Sequence, residues 1–317
     1  MKYRLIAVLF LIACAACPWP AQILQPGKQT LIVKNVNNVP LTFLALDKHN
    51  HFVSGLEASQ IQIFDNQQPQ RITHFDAQGN LPLRIVLLLD ISNSITTRWA
   101  FEQRAATDFL QSVLVEGRDQ AMVAGFDTSL HVAQPFTDNY EKLAAAIRSL
   151  NPSGGTALFD ALFQTAHDDL GPGAPGSGDF RNVVVIISDG ADDQSRYSRE
   201  EALGMAEDAG AIIYTIGTEP TGSDAESDAV LKRLSSQTGG LSFFPIEAHD
   251  LGAAFQAITS DLRHQYVVTY DPNNFVPNGE FHTVEIKIAV KGVTARTRKG
   301  YFARPAAAPA PGKPGPK

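Results

Sequence analysis

Arg84-Ile85-Val86-Leu87-Leu88-Leu89-Asp90-Ile91-Ser92-Asn93-Ser94 is the stretch from which the fold can be read. A strand with one wet face alternates apolar and polar residues. A run that is apolar at every position, as at 85–89, is what a strand covered on both faces requires. The run ends abruptly at Asp90, and two hydroxyls follow at alternate positions. Downstream, Phe101, Ala105, Phe109 and Val113 recur at helical spacing. Residues 121–126 form a second buried run. Residues 140–150 and 157–170 read as helices, and 183–187, rich in β-branched residues, as a third buried strand. The same reading gives a helix over 199–209, a strand over 212–216, a helix over 229–237 and a short strand over 241–244. Leu251, Phe255, Ile258 and Leu262 make a last helical stripe. This alternation of strand and helix over residues 83–262 predicts an α/β unit, a doubly wound, mostly parallel sheet with helices on both faces. The Gly- and Pro-rich residues 171–178 precede a strand and are expected to form a flexible loop at the sheet's amino edge.

Both flanks change period. Within an N-terminal β module over 30–80, residues 30–76 alternate in twos: Thr42, Leu44 and Leu46 share one face, and Ile61 and Ile63 share another. Residues 264–303 do the same, through Tyr266, Val268 and Tyr270, then Val284, Ile286, Ile288 and Val290, then a third strand over 293–302. Modules this small rarely stand alone. The expectation is a small β-sandwich built from both ends, with the α/β unit inserted between them. Residues 304–317 are rich in Pro and Ala and read as an extended tail.

Residues 1–21 have the layout of an export signal: Lys2 and Arg4, an apolar run over 5–12, then small residues. Leu11-Ile12-Ala13-Cys14 is also similar to a lipobox, so membrane attachment is expected only through lipid on Cys14, the alternative being plain cleavage after small residues. The expected destination is periplasmic, cell-surface or secreted. Both cysteines, Cys14 and Cys17, lie at this leader, which leaves the folded body without a disulfide framework. Across 317 residues, 44% are apolar and 19% charged, with a formal net charge of −7. That balance argues against a nucleic-acid partner, since such binders rely on cationic contacts to phosphates. No apolar run approaches the roughly 18 residues of a spanning helix.

Three segments carry candidate chemistry. Asp90, Ser92 and Ser94 follow the first buried strand; Asp189-Gly190 follows the third; Ser153-Gly154-Gly155-Thr156 precedes a helix. In an open α/β sheet, ligands bind beyond the carboxyl ends of the strands, so these loops are expected to converge. Two carboxylates and three hydroxyls suit a hard divalent cation, Mg²⁺ or else Mn²⁺ or Ca²⁺. The bland alternative is that Ser92, Ser94 and Thr156 cap helices and that Asp189-Gly190 is a routine turn.

Taken together, these segments resemble a von Willebrand factor type A domain, and Asp90-x-Ser92-x-Ser94, Thr156 and Asp189 match its metal-ion-dependent adhesion site. The resemblance implies a Rossmann-like fold, direct ligation by Ser92, Ser94 and Thr156, and a role through water for Asp90 and Asp189. It also implies a partner protein or surface that offers a carboxylate to the cation. The order of leader, β module, α/β unit and β tail is similar to that of secreted bacterial proteins related to this domain. Phe281-His282-Thr283-Val284-Glu285-Ile286 and Arg298-Lys299-Gly300-Tyr301-Phe302 are among the matching end motifs.

The expected function is an exported, non-enzymatic adhesion or protein-binding module. The competing readings are a structural component of an envelope complex with a dispensable metal site, and an Mg²⁺-dependent enzyme. No Gly-x-Ser-x-Gly elbow and no phosphate loop is present. His49-Asn50-His51 reads as a turn between strands, Asp192-Asp193 and Asp168-Asp169 as solvated pairs, and residues 218–227 as a rim loop that bears on partner choice.

Overall fold

The computed structural model describes residues 38–77, 81–96, 98–171, 174, 180–218, 225–245, 248–273 and 275–304. The leader with Cys14, the tail beyond residue 304, most of the 171–178 loop and residues 219–224 of the rim loop lie outside the described residues.

Six strands make the central sheet. The quoted stretch forms β5 (Leu83–Asp90), preceded in the chain by β1 (Val39–Leu46), β2 (Ile61–Asp65), β3 (Gln68–Gln70) and β4 (Ile72–Asp76). The sheet continues with β6 (Gln120–Phe126), β7 (Leu130–Thr137), β8 (Arg181–Ser188), β9 (Ile212–Gly217) and β10 (Ser242–Phe243). Its order is β10-β9-β8-β5-β6-β7, and every pair is parallel except β6 with β7. All eight residues of β5 are buried. Alternate side chains serve opposite cores: Ile85, Leu87 and Leu89 on one face, Val86 and Leu88 on the other.

The first face is covered by α1 (Trp99–Val113), α2 (Tyr140–Ser149) and α6 (Ala248–Arg263). The second is covered by α3 (Leu158–Gln164), which widens into a π turn over Thr165–Leu170, together with α4 (Arg199–Asp208) and α5 (Ala225–Thr238). The chain therefore leaves β5 toward one face and the adjacent β8 toward the other. Those two strands open the crevice where α/β sheets bind ligands.

The flanking strands form two antiparallel sheets. β1 pairs with β11 (Tyr266–Tyr270) and β13 (Thr294–Thr297), and β11 pairs with β4. β12 (Phe281–Ile288) pairs with β2 and with β14 (Gly300–Phe302), and β2 pairs with β3. One core joins both sheets, with Leu41, Phe43, Ile63, Val268, Tyr270 and Ile286 among its members. Each sheet mixes strands from before and after the α/β unit, so neither end can complete its layer without the other.

One reading needs correction. Residues 293–302 are not one strand. β13 and β14 lie in different sheets, and the chain crosses between them at Arg298 and Lys299, where Lys299 N–H donates to Gln237 O at 2.9 Å. In β1 the sandwich core takes Val39, Leu41, Phe43 and Ala45. Thr42, Leu44 and Leu46 share the other face as expected, and Leu44 and Leu46 are buried there too, so both faces of β1 are covered. The edge strand β7 was not foreseen. It is half-buried, carries Pro135 and runs antiparallel, as edge positions permit. The 47–50 turn is as expected: Asp47 Oδ1 accepts from the N–H groups of His49 (2.7 Å) and His51 (2.9 Å), and Asn50 takes a φ of 63°.

Phe43 is 1% exposed and stacks on Tyr266 with centroids 5.2 Å apart. Phe43→Ala is expected to cost about 3–5 kcal/mol, the range for emptying a large aromatic site. Denaturant unfolding checks this, and a loss below about 1 kcal/mol would mean the two ends do not share a tight core.

Candidate functional site

At the carboxyl end of β5, Asp90 is 1% exposed. Its Oδ1 accepts from Ser92 N–H at 2.9 Å, and its Oδ2 from the Ser188 hydroxyl at 2.7 Å. Ser188 in turn accepts from Gly190 N–H at 3.0 Å, so the ends of β5 and β8 are stitched through one hydroxyl. Ser94 Oγ donates to Asp189 Oδ2 at 2.8 Å. Ser92 Oγ lies 2.8 Å from Ser94 Oγ. Because the single Ser94 proton goes to Asp189, Ser92 is the donor of that pair. Four of the five predicted residues thus form one cluster at the rim. Gly190 is needed there: its φ is 83°, and a Cβ would lie 2.6 Å from Ser227 O.

Thr156 reaches the rim by another route. Its loop is held to the β5 loop by Ser153 N–H to Ile91 O (2.5 Å) and Asn93 N–H to Gly154 O (3.3 Å). Thr156 N–H donates to Asp193 Oδ1 at 2.9 Å, and Thr156 O accepts from the N–H groups of Asp193 and Gln194. Thr156 has no direct hydrogen bond to the other four among the described residues.

The capping alternative does not describe these side chains. Ser92 makes no side-chain cap bond, and α3 begins without one from its own N-cap residue. That duty falls to Asp192, whose Oδ2 accepts from Phe159 N–H at 2.9 Å, and to Ser195, whose hydroxyl accepts from Asp160 N–H at 3.0 Å. Asp192 and Asp193 are therefore clamps rather than a solvated pair, which corrects the sequence reading: each reaches more than thirty residues back along the chain to fix the Thr156 loop.

Two acidic residues escaped notice. Asp127, just past β6, binds the Ser153 hydroxyl at 3.0 Å and His131 Nε2 at 2.9 Å, and its carbonyl accepts from Ala157 N–H. Like Asp90, it directly follows a buried run, and that was the available signal. Glu102, on α1, is 2% exposed, and neither carboxylate oxygen has a hydrogen-bond partner. It sits one helical turn before Ala106 on the buried stripe, where a charged residue is conspicuous. Burial pushes its carboxyl up to about 8; Arg98 pulls it down, and Asp90 and Asp189 push it up.

Burial likewise raises Asp90 to about 6, against its hydrogen bonds from Ser188 and Ser92. The site is thus an all-oxygen cluster whose carboxylates are met by hydroxyls and backbone N–H groups. That donor set fits a hard divalent cation, which favours oxygen ligands and tolerates neutral ones beside carboxylates. Among the described residues, no group of three or more His, Cys, Asp or Glu side chains is placed to hold a metal ion, so the fit depends on the serine and threonine hydroxyls.

The doubly wound α/β unit places an oxygen-rich crevice at its switch point, the place where open α/β sheets bind ligands. Residues 85–191 match the family model of the von Willebrand factor type A domain. Among solved structures, proximal thread matrix protein 1 from the mussel byssus, with a zinc-occupied MIDAS motif, aligns with a TM-score of 0.50 at 17% identity. The alignment covers 61% of this chain and 48% of the mussel protein, so this chain spans about half of that relative. The vWF domain of the type V pili tip protein Mfa5 from Porphyromonas gingivalis aligns at 15% identity with a TM-score of 0.47, over 57% of this chain and 94% of that one. BatB from Bacteroides thetaiotaomicron aligns at 16% identity with a TM-score of 0.46, over 57% and 97%. At such identities the likeness concerns the fold alone. No curated protein matches the chain.

In the metal-free protein, the raised Asp90 pKa means that the folded state holds its proton where the unfolded chain has released it. Stability is therefore lost as pH rises from about 4 to about 6, by roughly 3 kcal/mol from this group. Asp90→Asn removes that contribution. The stability difference between Asp90→Asn and wild type is expected to grow in favour of the variant over this window and stay flat above it. Urea melts in EDTA at several pH values check this, and a difference independent of pH contradicts it.

Proposed function

We propose that this chain is an exported, metal-ion-dependent protein-binding module. The observation that carries the reading is the cluster Asp90, Ser92, Ser94 and Asp189, closed by the Ser94–Asp189 hydrogen bond at 2.8 Å. It lies where the loops after β5 and β8 part. Ser92, Ser94 and Thr156 would hold the cation through their hydroxyls, with Asp90 and Asp189 balancing its charge from behind. When bound, a divalent ion supplies a hard electrophilic centre able to take one carboxylate oxygen from a partner. The side chains do the rest. Asp192 and Asp193 keep the Thr156 loop in place, and the Ser188 hydroxyl orients Asp90.

Export rests on the leader composition of residues 1–21. Among the described residues, no helix is long and apolar enough to cross a membrane. The partner is expected to be a protein or surface rich in acidic groups, and Mg²⁺, Mn²⁺ and Ca²⁺ all remain candidates for the ion.

Titration calorimetry with Mg²⁺ and Mn²⁺ tests the reading. Wild type is expected to bind one ion, and Asp90→Ala and Asp189→Ala to bind it about 10- to 100-fold more weakly. Capture of partners from an envelope extract should then fail in EDTA and with either variant. Absence of ion binding, or equal binding by wild type and variants, would overturn the reading. Partner capture indifferent to EDTA would favour a structural role instead.

A further inference from the structure

A second cluster of polar side chains lies in the β-sandwich, drawn from four strands and both sheets. Asp65 closes β2, and Tyr270 closes β11. His282 in β12 and Tyr301 in β14 are direct cross-strand partners. Asp65 is 4%, Tyr270 0% and Tyr301 7% exposed, while His282 is half-buried at the cluster's outer side. Asp65 Oδ2 accepts from the hydroxyls of Tyr270 at 2.8 Å and Tyr301 at 2.7 Å. Asp65 Oδ1 lies 2.8 Å from His282 Nδ1, which in turn lies 3.4 Å from the Tyr301 hydroxyl.

Packing alone does not call for these groups. Phe fills nearly the space of Tyr and brings no hydroxyl to satisfy, and a carboxylate in a sandwich core is costly. Their chemistry is that of a hard-metal site. Donors about 2.0–2.1 Å from one six-coordinate ion lie about 3 Å from their neighbours, and the contacts within this cluster run from 2.7 to 3.4 Å. Tyrosinate is a known ligand of iron. Two phenolates and a carboxylate offer three anionic oxygens, a set better matched to a trivalent ion than to Zn²⁺, which favours thiolate and imidazole. Only two of the four residues are acids or imidazoles, so the phenols decide the site. Burial pushes both phenols above their ordinary range, and the hydrogen bonds to Asp65 add to this. The Arg298 guanidinium, 5.6 Å from the Tyr301 ring centroid, pulls Tyr301 back. In the ion-free protein both phenols therefore keep their protons and spend them on Asp65.

We propose that Asp65, Tyr270, His282 and Tyr301 bind one ferric ion. Two phenolic O–H bonds break, two Fe–O bonds form, and the two protons leave to solvent. Asp65 gives one oxygen. His282 gives Nδ1, with its own proton resting on Nε2. The iron stays ferric throughout, so the step needs neither oxidant nor reductant, and the remaining positions fall to water. The ion would take over the hydrogen bonds that now join the two sheets at this point. The proposal shares no residue with the cation site at Asp90 and is independent of it.

The test titrates the full-length protein with ferric nitrilotriacetate and follows visible absorption. A phenolate-to-iron charge-transfer band reports ligation by tyrosine, which iron held by carboxylates or serines alone does not give. The band is expected to saturate at one ion per chain, and resonance Raman excited within it is expected to carry tyrosinate ring modes. Tyr270→Phe and Tyr301→Phe should each weaken binding at least about tenfold and diminish the band, and His282→Gln should weaken binding to a similar degree. Tyr266→Phe should leave both unchanged, since that buried phenol donates to Val53 O at 2.9 Å and not to Asp65. The wild-type band and its Raman modes need no variant, so the idea stays testable if a substitution folds poorly. No band, a band that fails to saturate, or one that Tyr270→Phe and Tyr301→Phe leave intact would overturn the proposal.

Discussion

Two carboxylates held within a hydroxyl network, one of them almost wholly withdrawn from water, are the constraint on which the upper half of this molecule turns. Asp90 ends a strand that is buried at every position, so it cannot retreat to solvent without moving the sheet. Burial opposes its charge, and Asp189 lies on the next strand loop. Such a pair is held at a cost in the bare protein, and a bound cation would relieve it. The hydroxyls of Ser92, Ser94 and Ser188 make the arrangement tolerable without neutralising it. A Lys or Arg there would stabilise the fold more simply and would also remove the site.

The rest of the architecture holds that rim still. The loop bearing Thr156 has little structure of its own, and Asp127, Asp192 and Asp193 fix it from three directions. The sandwich contributes at the other end. Its strands come from both sides of the α/β insertion, so the chain entering β5 and the chain leaving α6 are tied into one core. Arg181, at the start of β8, donates to Leu262 O and Gln265 Oε1 at that junction.

Much of this was legible because burial on both faces leaves a plain signature. The runs ending at Leu89 and Ile187 announce central strands, and Asp90 and Asp189 stand at their ends. The helices follow from apolar spacing, as at Phe109 and Val113. The β7 edge strand was not legible, since half-buried backbone beside Pro135 carries no strong period. The break between β13 and β14 was missed because alternation continues through a crossing from sheet to sheet. Asp192 and Asp193 resisted reading for a different reason: their partners are more than thirty residues away, and only the folded loop shows that these acids serve N–H groups. Glu102 could have been seen as a charge on an apolar stripe, although its lack of partners is a fact of packing.

The most direct measurement is anomalous diffraction from crystals of the intact protein soaked in Mn²⁺. The account predicts one peak within coordination distance of the Ser92 and Ser94 hydroxyls, beside Thr156 and between the carboxyls of Asp90 and Asp189. Density for those side chains with no anomalous peak among them, or a peak elsewhere that leaves the cluster as it stands, would contradict it.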